Sequence, residues 1–313
     1  MRGFLLDLIF IRMLRNHRWR KLSFFLLLLL ALWVILAQSC MKFRISDAQA
    51  TVKFTNAGVA LQTHYIDVDG YKMHYVSTGS DSLPTLFFVH GSPGSWTAFE
   101  RYLMDKELLA AFRMVAIDRP GFGYSEFGEA KNLDDQSRLI RPIIDSISNG
   151  QPMYVIGHSL GGPVAVKLEA AHPGSFAGII LLAGSVDPGE EKPEKWRPWL
   201  INTPLQYLVP GAMEPANQEL WYLKKDLVKL KDDFSKIHCP VWIIHGDKDN
   251  MVPVGNADYA GRMLVNAPLV DVTILKGAGH FIPWNHFTEI KKILLKLPEE
   301  NIPGQPTKAS PLP

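Results

Sequence analysis

The chain has 313 residues, 47% of them hydrophobic, with 33 Lys and Arg against 31 Asp and Glu. Setting aside residues 1–39, which hold six of the basic residues and one of the acids, leaves 27 against 30, a net charge of about −3. The body therefore lacks the basic excess that nucleic acid would require, and its composition suits one well-cored globular domain.

The first element is a membrane address. Arg2, Arg12, Arg15, Arg18, Arg20 and Lys21 precede an uncharged apolar run from Leu22 to Ala37. A basic flank followed by such a run is a signal or an anchor, and the basic side tends to stay in the cytoplasm, sending the rest of the chain outward. Two outcomes stay open. Extended through Met41, the run reaches the roughly 20 residues that span a bilayer. Alternatively, Leu36-Ala37-Gln38-Ser39-Cys40 resembles a bacterial lipoprotein processing site, with Cys40 lipidated. Either way a membrane-associated domain is expected on the extracytoplasmic side, with residues 1–40 as the signal or anchor segment. Residues 41–62 read as a polar linker, and the proline-rich residues 298–313 as a disordered tail.

Between them, residues 63–297 alternate strand and helix signals. His64 to Val68 and Tyr71 to Val76 flank Asp69-Gly70, a hairpin turn. Leu86 to Val89, Arg113 to Ile117, Met153 to Ile156, Ala177 to Ala183, Val241 to His245 and Val270 to Leu275 read as buried strands. Helical stretches follow from Trp96, over Asn132 to Ser148, and over Pro163 to Ala171. This alternation predicts an α/β fold with a mostly parallel sheet covered on both faces. The 2 cysteines, Cys40 and Cys239, cannot build a disulfide framework. Cys239, before Pro240, reads as a small apolar residue at a strand start.

The stretch Gly157-His158-Ser159-Leu160-Gly161 falls between a predicted strand and a predicted helix, the setting of a G-x-S-x-G nucleophile elbow. His90-Gly91-Ser92-Pro93-Gly94-Ser95 follows one strand and Asp118-Arg119-Pro120-Gly121-Phe122-Gly123 another. Gly246-Asp247-Lys248-Asp249, with Val252-Pro253 soon after, and Gly277-Ala278-Gly279-His280 close the series. These motifs, in this order, resemble the α/β-hydrolase superfamily, in its branch of lidded esterases, peptidases and C–C bond hydrolases. The likeness runs from about Thr63 to Leu297.

A serine hydroxyl needs a base beside it, and the base needs a group to orient it. The resemblance implies Ser159 as nucleophile, His280 as base and Asp249, rather than Asp247, as acid. Asp247 then reads as a turn-former. The resemblance also implies that the backbone N–H groups of Ser92 and Leu160 form the oxyanion hole; Pro93 has no N–H to give. His90 is expected to brace its loop, and His158 to line or support the pocket. Ser159 stands where epoxide hydrolases and dehalogenases of this fold carry aspartate, which leaves acyl transfer to water.

Residues 186–238 are the expected lid, with a charged helix from Glu219 to Lys236. The lid's Trp196, Trp199, Tyr207, Trp221 and Tyr222 are candidates for the substrate wall or else its own small core, and His158, Phe281, Phe127 and Trp284 are further candidates for the wall. The resulting expectation is a serine hydrolase of an ester or other acyl bond in a small-molecule substrate, without metal or cofactor. A proline-releasing aminopeptidase, served by Glu190, Glu191, Glu194 or Glu214, a C–C bond hydrolase, and a catalytically silent binding protein remain as alternatives.

Overall fold

The computed structural model describes residues 17–300. Eight strands form one sheet in the order β1-β2-β4-β3-β5-β6-β7-β8. They are β1 Gln62–Val68, β2 Tyr71–Thr78, β3 Thr85–Val89, β4 Arg113–Asp118, β5 Met153–His158, β6 Gly178–Leu182, β7 Val241–Gly246 and β8 Val270–Leu275. β1 and β2 pair antiparallel, as do β2 and β4, and every other pairing is parallel. The hairpin turns at Asp69 and Gly70, with φ of 56° and 80°.

Central strands are apolar throughout because both faces are covered. Phe87, Val115, Val155 and Ile179 face one core, shared with the helix Leu133–Ile147 and the helix Gly161–Ala171. Leu86, Phe88, Met114 and Ile156 face the other, closed by the helix Phe287–Glu300. Helix Leu133–Ile147 turns Leu139, Ile140, Ile143 and Ile144 inward, a spacing of three to four that makes one apolar stripe. Asn132 caps it, accepting from the Asp135 N–H at 2.9 Å. β8 is the departure from expectation. It is an edge strand and alternates between partly buried and exposed residues instead of being buried.

Three boundaries differ from the sequence reading. Residues Asp47–Asn56 form a helix, where a linker was expected over 41–62. Ser46 and Gln49 form a reciprocal capping box, and Ala50 and Phe54, four apart, are fully buried against the domain. The lid helix begins at Met213, not near Glu219, runs to Leu230, and continues as 3-10 turns over Lys231–Lys236. The last helix passes Pro298 and reaches Glu300; the remainder of the expected tail lies outside the described residues, as do residues 1–16 of the anchor segment.

The helix His17–Ser39 is exposed along most of its length, and its 22 residues from Arg18 to Ser39 have the length and composition to cross a membrane. Its last two turns and the residues just after them are bonded to residues 207–212 of the lid. Trp33 Nε1 donates to Leu208 O at 3.1 Å and Gln38 Nε2 to Tyr207 O at 3.0 Å. The Gly211 N–H donates to Ala37 O at 2.7 Å and the Ala212 N–H to Met41 O at 3.0 Å. Ala37 is buried in this joint.

Candidate active site

β5 ends at His158, and Ser159 follows with φ of 54°, a left-handed conformation uncommon for a residue with a side chain. The turn is held by its backbone: Ser159 N–H donates to Leu182 O at 3.0 Å, and Ser159 O accepts from Gly162 N–H at 2.9 Å and Ser185 N–H at 3.1 Å. A Cβ at Gly157 would lie 2.2 Å from Gly161 O, and one at Gly161 would lie 2.2 Å from Val89 O. Only glycine fits at either place. The serine is thereby fixed at the N-terminus of helix Gly161–Ala171, where the dipole favours negative charge.

The loop after β3 lies against it. A Cβ on Gly91 would come within 2.9 Å of Ser159 Cβ. Next in the chain, the Ser92 N–H has no hydrogen-bond partner among the described residues, and neither has the Leu160 N–H. Unpaired backbone donors of this kind are rare inside proteins. The Ser92 hydroxyl is also buried without a partner.

β7 delivers Asp249. Its Oδ1 accepts from Met251 N–H at 2.9 Å and Val252 N–H at 2.8 Å, and its Oδ2 accepts from His280 Nδ1 at 2.7 Å. Burial acts to raise the Asp249 pKa, but the bonds from His280 and Val252 outweigh it and hold it below the usual range. His280 itself is 6% exposed, in the loop after β8. Asp247 does not join this pair; its Oδ1 accepts from Gly277 N–H at 2.6 Å and holds the same loop. His286 lies apart, 3.5 Å from Glu289 at the surface.

Three further histidines, His158, His90 and His245, are buried, and burial lowers the pKa of each. His158 Nε2 donates to His280 O at 3.2 Å, the two rings are 4.9 Å apart, and desolvation lowers the His158 pKa to about 3. His90 Nδ1 donates to Gly91 O at 2.7 Å while its Nε2 accepts from the Arg119 N–H at 2.9 Å, so its tautomer is set and burial keeps it uncharged. His245 was not singled out by sequence. Its Nε2 donates to Val252 O at 2.9 Å and stands 3.6 Å from Asp249 Oδ2.

Sequence reasoning also missed one partner of Arg119. All five guanidinium N–H groups are used. Nε donates to His90 O, Nη1 to Gln136 Oε1 and Glu219 Oε2, and Nη2 to Gly91 O and Glu219 Oε1, at 2.8–3.0 Å. Arg119 and Glu219 are 0% and 4% exposed. The pair thus joins the lid helix to the loop that carries Ser92. Nothing in the sequence marks Glu219, which sits among other charged residues of the lid helix.

Of the proposed wall, Phe281 meets His280 edge-on at 5.7 Å and Trp284 at 5.8 Å, and Trp284 meets His158 at 5.3 Å. Trp221 is partly buried on the lid helix. Trp196 and Trp199 are 50% and 68% exposed on a short helix that buries no residue, so they are not a core of the lid, and no ring contact joins them to His280. Phe127 packs with Phe122 and Ala216 beside the lid helix. Among the described residues no cluster of His, Cys, Asp and Glu is arranged to hold a metal ion. Both cysteines are free, and burial pushes the Cys239 thiol up to about 12.

A family model described as the alpha/beta hydrolase family matches residues 86–290, the span that carries every one of these groups. The chain belongs to that family. A 2-hydroxy-6-oxononadienedioate/2-hydroxy-6-oxononatrienedioate hydrolase of Burkholderia vietnamiensis is 24% identical to this hydrolase over 295 residues, 80% of this chain and 97% of that protein. Epoxide hydrolase 1 of Caenorhabditis elegans is 32% identical over 114 residues, 36% of this chain and 28% of that one. Among solved structures, a membrane phospholipase A covers 95% of this chain and 99% of its own, with a TM-score of 0.58 and 19% identity. A serine hydrolase from Cycloclasticus zankles covers 78% and 100%, with a TM-score of 0.60 and 19% identity.

Proposed function

We propose that this hydrolase cleaves an acyl ester through Ser159, His280 and Asp249, and that the helix His17–Ser39 anchors it in a membrane. The observation that carries the reading is the 2.7 Å bond from His280 Nδ1 to Asp249, made beside an elbow serine. In the proposed mechanism Asp249 fixes the tautomer that leaves Nε2 free to take the Ser159 proton, and stabilises the imidazolium that forms. The Ser159 hydroxyl makes no hydrogen bond to a described residue, and its contact with His280 would tighten when substrate binds. The unpaired N–H groups of Ser92 and Leu160 would receive the oxyanion, each such donor being worth about 10²–10³ in rate.

A serine nucleophile favours acyl chemistry over epoxide opening, whose alkyl intermediate calls for a carboxylate. The lid acids give the aminopeptidase alternative little support: Glu194 is paired with Arg197, and burial raises Glu191 and Glu214 toward the neutral form, away from what an amine would need. The joint between anchor and lid supports retention of the helix, because cleavage before Cys40 would strip Trp33, Ala37 and Gln38 from the lid. It also favours an ester presented at a membrane surface, the setting named for the phospholipase neighbour.

The test uses the full-length chain in detergent beside Ser159→Ala, on p-nitrophenyl esters of rising acyl length and on proline p-nitroanilide. Ester turnover and fluorophosphonate labelling that both vanish in Ser159→Ala are the expected result. Turnover that survives the substitution would sink the serine mechanism, and release from the anilide alone would move the reading to a peptidase.

A further inference from the structure

Where the anchor helix ends, the chain forms a groove of about 680 Å³ lined by Ser39, Met41, Lys42, Arg44, Ser46 and Tyr124 among others. Its two cations are held close together without an acid between them. Lys42 Nζ stands 4.9 Å from the centre of the Phe127 ring, and the Arg44 guanidinium stands 5.5 Å from the same ring and 4.5 Å from that of Tyr124. Arg44 Nη1 donates to Gly123 O at 2.8 Å. Neither cation is within ion-pair distance of a carboxylate among the described residues. Asp47, the nearest acid in sequence, is instead bonded by the Tyr65 hydroxyl at 3.0 Å and does not line the groove.

Two like charges side by side repel, and the effect is visible: burial and the neighbouring Arg44 both lower the pKa of Lys42. The backbone that holds them is also unfavourable. Met41 and Phe43 have φ of 54° and 49°, left-handed values that cost energy in residues with side chains. The strain is kept in place by bonds on either side. Met41 O accepts from Ala212 N–H, and Phe43 O accepts from the hydroxyls of Ser95 and Thr97. The repulsion between two cations fixed in this way is relieved by an anion placed between them.

Position indicates where such an anion would come from. At about 1.5 Å per residue, the 22-residue helix is about 33 Å long, close to the thickness of a bilayer core. Ser39, its last residue, lines the groove, so in a membrane-anchored chain the groove lies at headgroup depth. We propose that this groove is an anion site that binds a phosphate group through Lys42 and Arg44. The site is separate from Ser159, and its occupancy does not depend on the esterase reading.

Binding is measured on the full-length protein in neutral detergent by native mass spectrometry and thermal shift, with phosphatidylglycerol, phosphatidylcholine or inorganic phosphate added. Arg18, Arg20 and Lys21 at the other end of the helix also attract anionic lipid, so the quantity read is the difference between wild type and variant. At roughly fivefold per cation near a membrane surface, K42Q/R44Q should bind phosphatidylglycerol about 30-fold more weakly. K42Q alone, which breaks no hydrogen bond, should lose about fivefold and serves if the double variant is unstable. Preference for phosphatidylglycerol that these variants lose supports a lipid headgroup as the source. Equal protection by inorganic phosphate, lost in the same variants, supports a free phosphate. Phosphatidylglycerol and phosphatidylcholine binding alike with no protection by inorganic phosphate, or K42Q and K42Q/R44Q binding as wild type, overturns the proposal.

Discussion

Around Ser159 the ionisable side chains are bonded and hidden from water, whereas across the lid large aromatic side chains stand in solvent. Asp249, His280, His158, His90 and Arg119 are all buried, and each is oriented by at least one hydrogen bond. Trp196, Trp199 and Tyr207 of the lid are half exposed or more, and the short helix carrying Trp199 buries nothing. The floor is preorganised, as charge development in a reaction requires. The lid has surface to give to something else, a substrate tail or a membrane. Glu219 is the exception, the one lid side chain that bonds to the floor's arginine.

Removing a member of the floor should have the largest effect. Asp249→Asn keeps the shape but presents the wrong hydrogen-bond partner to His280, and kcat on a short ester should fall about 10⁴-fold with little change in KM. A loss below tenfold would mean that Asp249 does not orient the base. Glu219→Ala tests the link between the regions. It leaves Arg119 charged and buried beside Gly91, at a cost of about 3–5 kcal/mol in urea unfolding. If the variant unfolds at the wild-type midpoint, the pair carries no structure and the lid is independent of the floor.

Acidification should weaken the floor next. Burial lowers the folded-state pKa of His158, His90 and His245 below the unfolded value of about 6.5. Between those values the unfolded chain binds protons that the folded one does not. The stability these neutral rings give is therefore complete above about pH 6.5 and lost as pH falls toward about 3, the value for His158. Each ring contributes up to about 1.4 kcal/mol per pH unit. Unfolding measured at pH 7 and pH 5 should show the loss, and His158→Gln should flatten the slope by one proton; an unchanged slope would count against a neutral His158.

The smallest effect on stability belongs to the lid. Trp199 is 68% exposed, so Trp199→Ala should shift unfolding by no more than about 0.5 kcal/mol. If Trp199 forms the wall for an acyl tail, KM should rise about fivefold for long-chain esters and not for acetate. Equal KM values for both would remove the lid tryptophans from the substrate path.

The same contrast explains what was legible in the sequence. The elbow and the strands of the central sheet follow from local backbone demands, each written within a few residues, whereas the choice of Asp249 over Asp247 comes from the resemblance. Reading β8 as buried passes over Val270-Asp271-Val272-Thr273, which alternates apolar and polar residues, the pattern of a strand that is not covered on both faces. The helix Asp47–Asn56 had its signal in Ser46-x-x-Gln49, overlooked because the stretch is polar on three sides. Arg119 and Glu219 are 100 residues apart, and the joint between the helix His17–Ser39 and the lid spans more. Contacts of that kind depend on where a lid settles, and no periodicity records it.

That joint also bears on how the molecule is made. Trp33 and Gln38 bond to carbonyls 175 and 169 residues further along. In a chain synthesised from its N-terminus, the helix is finished long before its partners exist. Contacts between such distant residues form late in folding. The sheet can assemble first, leaving residues 204–212 to dock last, onto a segment that has been waiting since the start of translation. Maturation of the lid is thereby coupled to the N-terminal helix, and chains shortened by 39 residues should fold their sheet normally yet stay open to protease between Thr203 and Gly211. Resistance there equal to that of the full-length chain would show that the lid matures without it.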